Sequence, residues 1–153
     1  MTKPELKPGN IAGLYIPQNL NLCDTLDEDE YPTDETLEII AKWDVLHDAV
    51  NFLQQLKSIW AYDSFVLSDT PPKEAEALLS MFDETKDLTS YKWLRLATAG
   101  WSGNESIVSA LERNFSMQMH WYMSVCGGLI IYKLPDFLWK QQNSQGDNET
   151  YSS

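Results

Sequence analysis

The sequence predicts an α+β fold: an N-terminal arm and helices packed on a small, three- to four-stranded, largely antiparallel sheet, ending in a β-α-β-β unit. Three observations predict it. Apolar residues recur at spacings of three and four over residues 34–61, as one buried face of a helix requires. Apolar and polar residues alternate over 115–125, as a strand with one wet face requires. Gly-Gly and Pro then bracket a second apolar run, as a hairpin requires. A chain of 153 residues is most simply one domain, here 1–140, and is long enough to bury a real core without disulfides or metal.

Residues 1–33 read as an irregular arm and an acidic loop, because three Pro and two Gly in the first 23 positions interrupt scattered apolar residues. Thr33 caps the first helix, and Asp34 and Glu35 suit the positive end of its dipole. Ile39, Trp43, Leu46, Val50, Leu53, Leu56 and Trp60 form its stripe, with a break near Trp43 allowed by Asp44 as a second cap. Phe65, Val66 and Leu67 make a short strand. Thr70 and Pro71 then start a helix with Ala75, Leu78, Leu79 and Phe82 inward, ending near Asp83.

Residues 92–98 form the next strand, and the segment Ala99-Gly100-Trp101 turns the chain. Ser102 and Glu105 match the capping box that starts a helix to about Arg113. Residues 115–125 are the period-two strand, Gly127-Gly128 the hairpin turn, and 129–134 the return strand ended by Pro135. Phe137, Leu138 and Trp139 are expected to pack, because an exposed Phe-Leu-Trp invites aggregation. The polar tail 141–153 is predicted to be disordered.

Charge is unevenly distributed. Of the net −12, residues 24–87 carry 17 acids and four Lys, while residues 88–140 carry three acids and five bases. Such a field repels nucleic acid and anionic membrane and draws basic partners. The run Asp27, Glu28, Asp29, Glu30, with Asp34 and Glu35, is therefore the candidate partner-binding surface. No apolar leader and no run of 18 apolar residues is present, so a cytoplasmic location is expected, with no membrane partner. Cys23 and Cys126 lack metal-ligand spacing and are expected to be buried free thiols.

Chemistry is sought and not found. Residues 24–35 have the length of a calcium loop, but Leu26 and Asp29 stand where a ligand and the turn glycine belong. His47 and His120 lack a neighbouring nucleophile pattern, and no glycine loop precedes a helix to cradle phosphate. Neither metal, cofactor nor enzymatic activity is expected. Trp101, Asn104, His120 and Tyr122 make a candidate ligand or interaction face, from a helix start beside a wet strand.

The string Thr98-Ala99-Gly100-Trp101-Ser102-Gly103-Asn104-Glu105, followed by Ile107 and Leu111, Trp121, Gly127-Gly128 and Pro135, resembles a "GGWSGNE" segment of small phage- and prophage-encoded proteins, a family without a settled function. It covers about a quarter of the chain, and Ser124, Val125 and Cys126 replace the basic residues that often precede the glycine pair in that family. The resemblance implies a phage origin. With the charge layout it leads to a non-catalytic acidic protein that inhibits or modulates a bacterial host protein with a basic surface, such as a nucleic-acid-binding defence factor. Two alternatives stand beside it: a small-molecule or peptide recognition domain, and an immunity-type protein that neutralises a toxin.

Overall fold

The computed structural model describes residues 13–81 and 91–140. Residues 1–12 of the arm, Phe82 with the expected helix end near Asp83, and the tail 141–153 lie outside the described residues. The elements run α1 (Asp34–Lys42), α2 (Val45–Ile59), β1 (Phe65–Ser68), α3 (Lys73–Met81), β2 (Tyr91–Ala97), α4 (Ser102–Glu112), α5 (Phe115–Met119), β3 (Trp121–Val125) and β4 (Leu129–Pro135). A short 3-10 turn, Leu22–Thr25, precedes them. The fold is α+β. Its four strands are all antiparallel, in the order β1-β2-β4-β3.

Each sheet strand divides its side chains between two faces, because successive residues point opposite ways. Leu94 and Leu96 of β2 and Ile130, Tyr132 and Leu134 of β4 enter the main core with α1, α2 and α4. Trp93 and Ile131 point the other way and are covered by Ala75 and Leu79 of α3. Helices therefore lie on both faces of the sheet rather than on one.

The long helical stripe is broken as Asp44 allows. Trp43 is extended, and the arm inserts there: Tyr15 N donates to Lys42 O and Asp44 N to Tyr15 O, at 2.9 and 2.8 Å. Trp43 is fully buried, its Nε1 donating to Asp48 Oδ2 at 3.0 Å, and Asp48 itself leaves helical geometry. Asp44 makes no cap through its side chain; its carboxylate instead meets His47 Nδ1 at 2.9 Å.

The alternating stretch 115–125 is not one strand. Its first half is α5 and only its second half is β3. The cause is Asn114, whose side chain caps α5 by accepting from Met117 N at 3.1 Å and donates to Ile40 O and Trp43 O at 2.8 and 3.0 Å. A helix cap anchored to a distant segment thus overrides a local period of two. β3 lies at the sheet edge and has no fully buried face.

The Ser102–Glu105 capping box does not form. Trp101 is the N-cap residue, Ser102 is already helical, and no side chain caps the start. The turn before it, with Trp101 N donating to Thr98 O at 3.1 Å, holds Ala99 at φ 55° and Gly100 at φ 78°. That turn delivers the chain into the helix one residue earlier than the motif implies. Both cysteines are exposed rather than buried: Cys126 sits at the tip of the three-residue β3–β4 loop and Cys23 on the outside of the 3-10 turn. Leu138 is buried and Trp139 packs against the core, while Phe137 stays 44% exposed. No helix among the described residues is long and apolar enough to cross a membrane.

Candidate functional site

The acidic run is a built turn. Asp27 Oδ1 accepts from Asp29 N and Tyr31 N, both at 2.9 Å, while Asp27 N donates to Tyr31 O and Glu30 N to Asp27 O at 2.9 and 3.0 Å. An aspartate closing its own backbone in this way is an Asx-type turn. Its φ of 63° places Glu30 in the left-handed region. Asp27, Glu28, Asp29 and Glu30 all remain exposed. Below the turn, Thr33 and Thr36 hydroxyls both donate to Thr25 O, at 2.8 and 3.0 Å, and Thr33 and Thr36 complete a reciprocal capping box for α1.

Tyr31 carries the turn onto the rest of the protein. Its ring lies 4.9 Å from that of Trp101 at an interplanar angle of 53°, and its hydroxyl shares a hydrogen bond with Ser102 Oγ. The Trp101 indole in turn lies over Gly103. A Cβ at Gly103 would stand 2.2–2.5 Å from ring atoms of Trp101, so only glycine fits beneath it.

These contacts set α1 and α4 side by side and parallel. Tyr31 joins their starts and Asn114 joins the end of α4 to the end of α1. Exposed acids continue along both helices, Asp34 and Glu38 on α1 and Glu105 and Glu112 on α4. Glu35 is half-buried. Lys42 offsets Glu38 at 3.7 Å. The field reaches inward: burial, then Glu38 and Glu35, push the Tyr15 hydroxyl up to about 12.

The other proposed face is not one surface. Trp101 adjoins the acidic turn. Asn104 is fully buried: its Oδ1 accepts from Ala61 N at 3.0 Å, and its Nδ2 donates to Ala61 O and Thr98 O at 2.9 and 3.3 Å. That geometry spends the amide on joining three backbone segments. His120 lies towards the opposite end of the sheet, its carbonyl accepting from Lys133 N at 2.9 Å and its ring 6.4 Å from that of Phe137. Four residues of β4 separate that level from Leu129, beside which the turn before Trp101 sits, a span of about 13 Å. Burial pushes the His120 imidazole below its usual pKa. Tyr122 stands against Trp93 on the α3 side of the sheet, edge to face at 5.2 Å.

A cleft of about 340 Å3 opens on that same side, lined by Ser68, Thr70, Pro71, Lys73, Trp93 and Arg95 among others. Arg95 forks onto Glu74, Nε to Oε1 at 3.2 Å and Nη2 to Oε2 at 2.9 Å. This hydrogen bonding lowers the Glu74 pKa and raises that of Arg95. Trp93 is fully buried, and its Nε1 meets no acceptor among the described residues. No sequence window pointed to this cleft, because Glu74 and Arg95 are 21 residues apart and meet only when α3 crosses β2. Tyr31 was likewise missed: one tyrosine after an acidic run carries no local sign of a partner 70 residues on.

Among the described residues no three His, Cys, Asp or Glu side chains converge as a metal site. No family model, curated protein or solved structure matches the chain.

Proposed function

We propose that the protein is a non-catalytic acidic binding protein of phage origin that inhibits or modulates a bacterial host protein by stoichiometric contact. The partner's site is a basic surface of the kind that holds nucleic acid. One observation carries this reading: the acids at 27–30 are held in a hydrogen-bonded turn, locked through Tyr31 to Trp101 and Ser102. A solubilising loop needs no such fixing. A binding surface gains from it, because ordering already present in the free protein is not lost again on association. The exposed acids of α1 and α4 extend the surface, and their field speeds encounter with a basic partner, by about 10- to 1,000-fold in steered complexes.

The test is capture from a bacterial lysate at low and high salt, with the retained proteins identified by mass. The control is E28Q/D29N/E30Q, which removes three charges and leaves the turn-closing carboxylate of Asp27 in place. A single stoichiometric partner, released by salt and absent from the triple variant, supports the reading. A partner held equally well in both conditions and by both proteins refutes it.

A second reading, recognition of a small ligand, is favoured by the cleft on the α3 side, where the Arg95 guanidinium, held by Glu74, shares the lining with Ser68 and Thr70. Such a donor set suits a carboxylate or carbonyl oxygen. A thermal-shift screen of small carboxylates, with Arg95→Leu as control, tests it: stabilisation lost in the variant supports it, and none across the screen rejects it.

A further inference from the structure

In a chain of net charge −12, the 19 residues between Arg113 and Lys133 contain no Asp, Glu, Lys or Arg. They build α5, β3 and the start of β4. Large apolar side chains there stay in solvent: Phe115 is 62% exposed, Met119 65% and Trp121 46%. Phe115 and Met119 lie four apart and so share one face of α5. Met119, His120 and Trp121 are consecutive, and the His120 ring touches the half-exposed Phe137. The local structure does not require these exposures, since Asn114 caps α5 and Met117 supplies its core contact. Single exposed apolar residues are ordinary, but a contiguous strip marks an interface.

We infer that this strip is a self-association surface, on which a second copy of the chain packs its own α5 and the start of its own β3 about a two-fold axis. Three points favour a second copy. The first is complementarity: a two-fold contact sets the charge-free stretch 114–132 against itself, leaving Arg113 and Lys42, which share a cleft with Phe115, at its rim. The second is area. Side chains of this size offer about 150–250 Å2 each, so the exposed fractions of Phe115, Met119, Trp121 and the adjoining Phe137 leave about 300–550 Å2 per copy. With a rim, two copies bury about 1,000 Å2, the lower edge for a specific interface. The third is electrostatic. The acidic turn sits at the start of α4 and the strip beyond its end, and the 11 residues of α4 span about 16 Å. That is roughly twice the Debye length of about 8 Å at physiological salt, so the acidic turns do not hold two copies apart.

Sedimentation equilibrium of the full chain tests this, with reductant present because Cys23 and Cys126 are exposed. From about 1 to about 300 µM, the mass is expected to rise from 17.5 kDa towards twice that value. Met119→Lys and Trp121→Lys, made separately, are each expected to weaken the dimer by about tenfold or more. The triple variant E28Q/D29N/E30Q is expected to dimerise at least as well, which separates this surface from the acidic one. A 17.5 kDa species at every concentration overturns the inference. So does a dimer that both lysine variants leave intact while keeping the parent's unfolding temperature.

Discussion

Tyr31 packs on Trp101 with ring centroids 4.9 Å apart, and its hydroxyl reaches Ser102. One side chain thus holds the acidic turn to the start of α4. Two features that read in the sequence as separate candidates, the acid run and the Trp101 helix start, are one surface because of it.

Removing that side chain is expected to loosen the turn before it unfolds the protein. Tyr31→Phe loses one hydrogen bond, worth about 0.5–1.5 kcal/mol. Tyr31→Ala also loses the ring pair and its burial, for a total of about 2–3 kcal/mol. Denaturant unfolding measures both. Amide exchange of residues 29–31 is expected to quicken in Tyr31→Ala more than exchange in β2 and β4. Equal quickening everywhere would mean that Tyr31 only adds global stability.

Gly103 makes a sharper case. Alanine is the better helix former by about 1 kcal/mol, so a surface-propensity argument expects Gly103→Ala to stabilise α4. The Trp101 ring over that position reverses the sign. A Cβ 2.2 Å from ring carbon has to displace the indole, and overpacking of this kind costs about 1–3 kcal/mol. The double variant W101A/G103A is expected to be more stable than W101A alone, because the clash is gone and the propensity gain remains. If Gly103→Ala stabilises the parent, the ring does not lie where it is described.

Much of the architecture was legible because it rests on local rules. Thr33 as a cap, the break at Trp43, the strand at 65–68 and the β3–β4 hairpin all follow from spacing, capping and turn chemistry within a few residues. Readings failed where a distant group decided the outcome. Asn114 turned half of a strand pattern into a helix by binding the carbonyls of Ile40 and Trp43. Ser102, read as a cap, is instead occupied by Tyr31. The apolar neighbours of Cys126 suggested burial, but the hairpin tip holds it in solvent. The candidate site divided in the same way. The acid run was visible as composition, whereas its rigidity came from hydrogen bonds that composition does not encode.

Ala99 stores removable strain. At φ 55° its Cβ crowds the following carbonyl, a conformation costing about 1–2 kcal/mol for a residue other than glycine. Ala99→Gly removes that strain but adds freedom to the unfolded chain, worth about 0.4–1 kcal/mol against it. The net expectation is a stabilisation of about 0.5–1 kcal/mol, seen as a higher unfolding midpoint in urea with an unchanged slope. A lower midpoint would show that the turn does not need the left-handed conformation at 99.

His120 sets an acid limit that one substitution separates from the many carboxylates. Its imidazole is half-buried beside Phe137, and burial holds its pKa below the usual value. The unfolded chain therefore takes up the proton first, near pH 6.5. Between that pH and the lower folded pKa the unfolded state binds more protons, so stability falls as pH falls. The contribution is fully present above about pH 6.5 and is lost progressively below it. His120→Gln keeps a polar group of similar reach without a charge to gain. The difference in unfolding temperature between the parent and His120→Gln is expected to shift in the variant's favour from pH 7.5 to pH 5.5. A difference constant across that range, or a His120 titration in the folded protein at or above the ordinary histidine value by NMR, would show that the ring is not held in its neutral form.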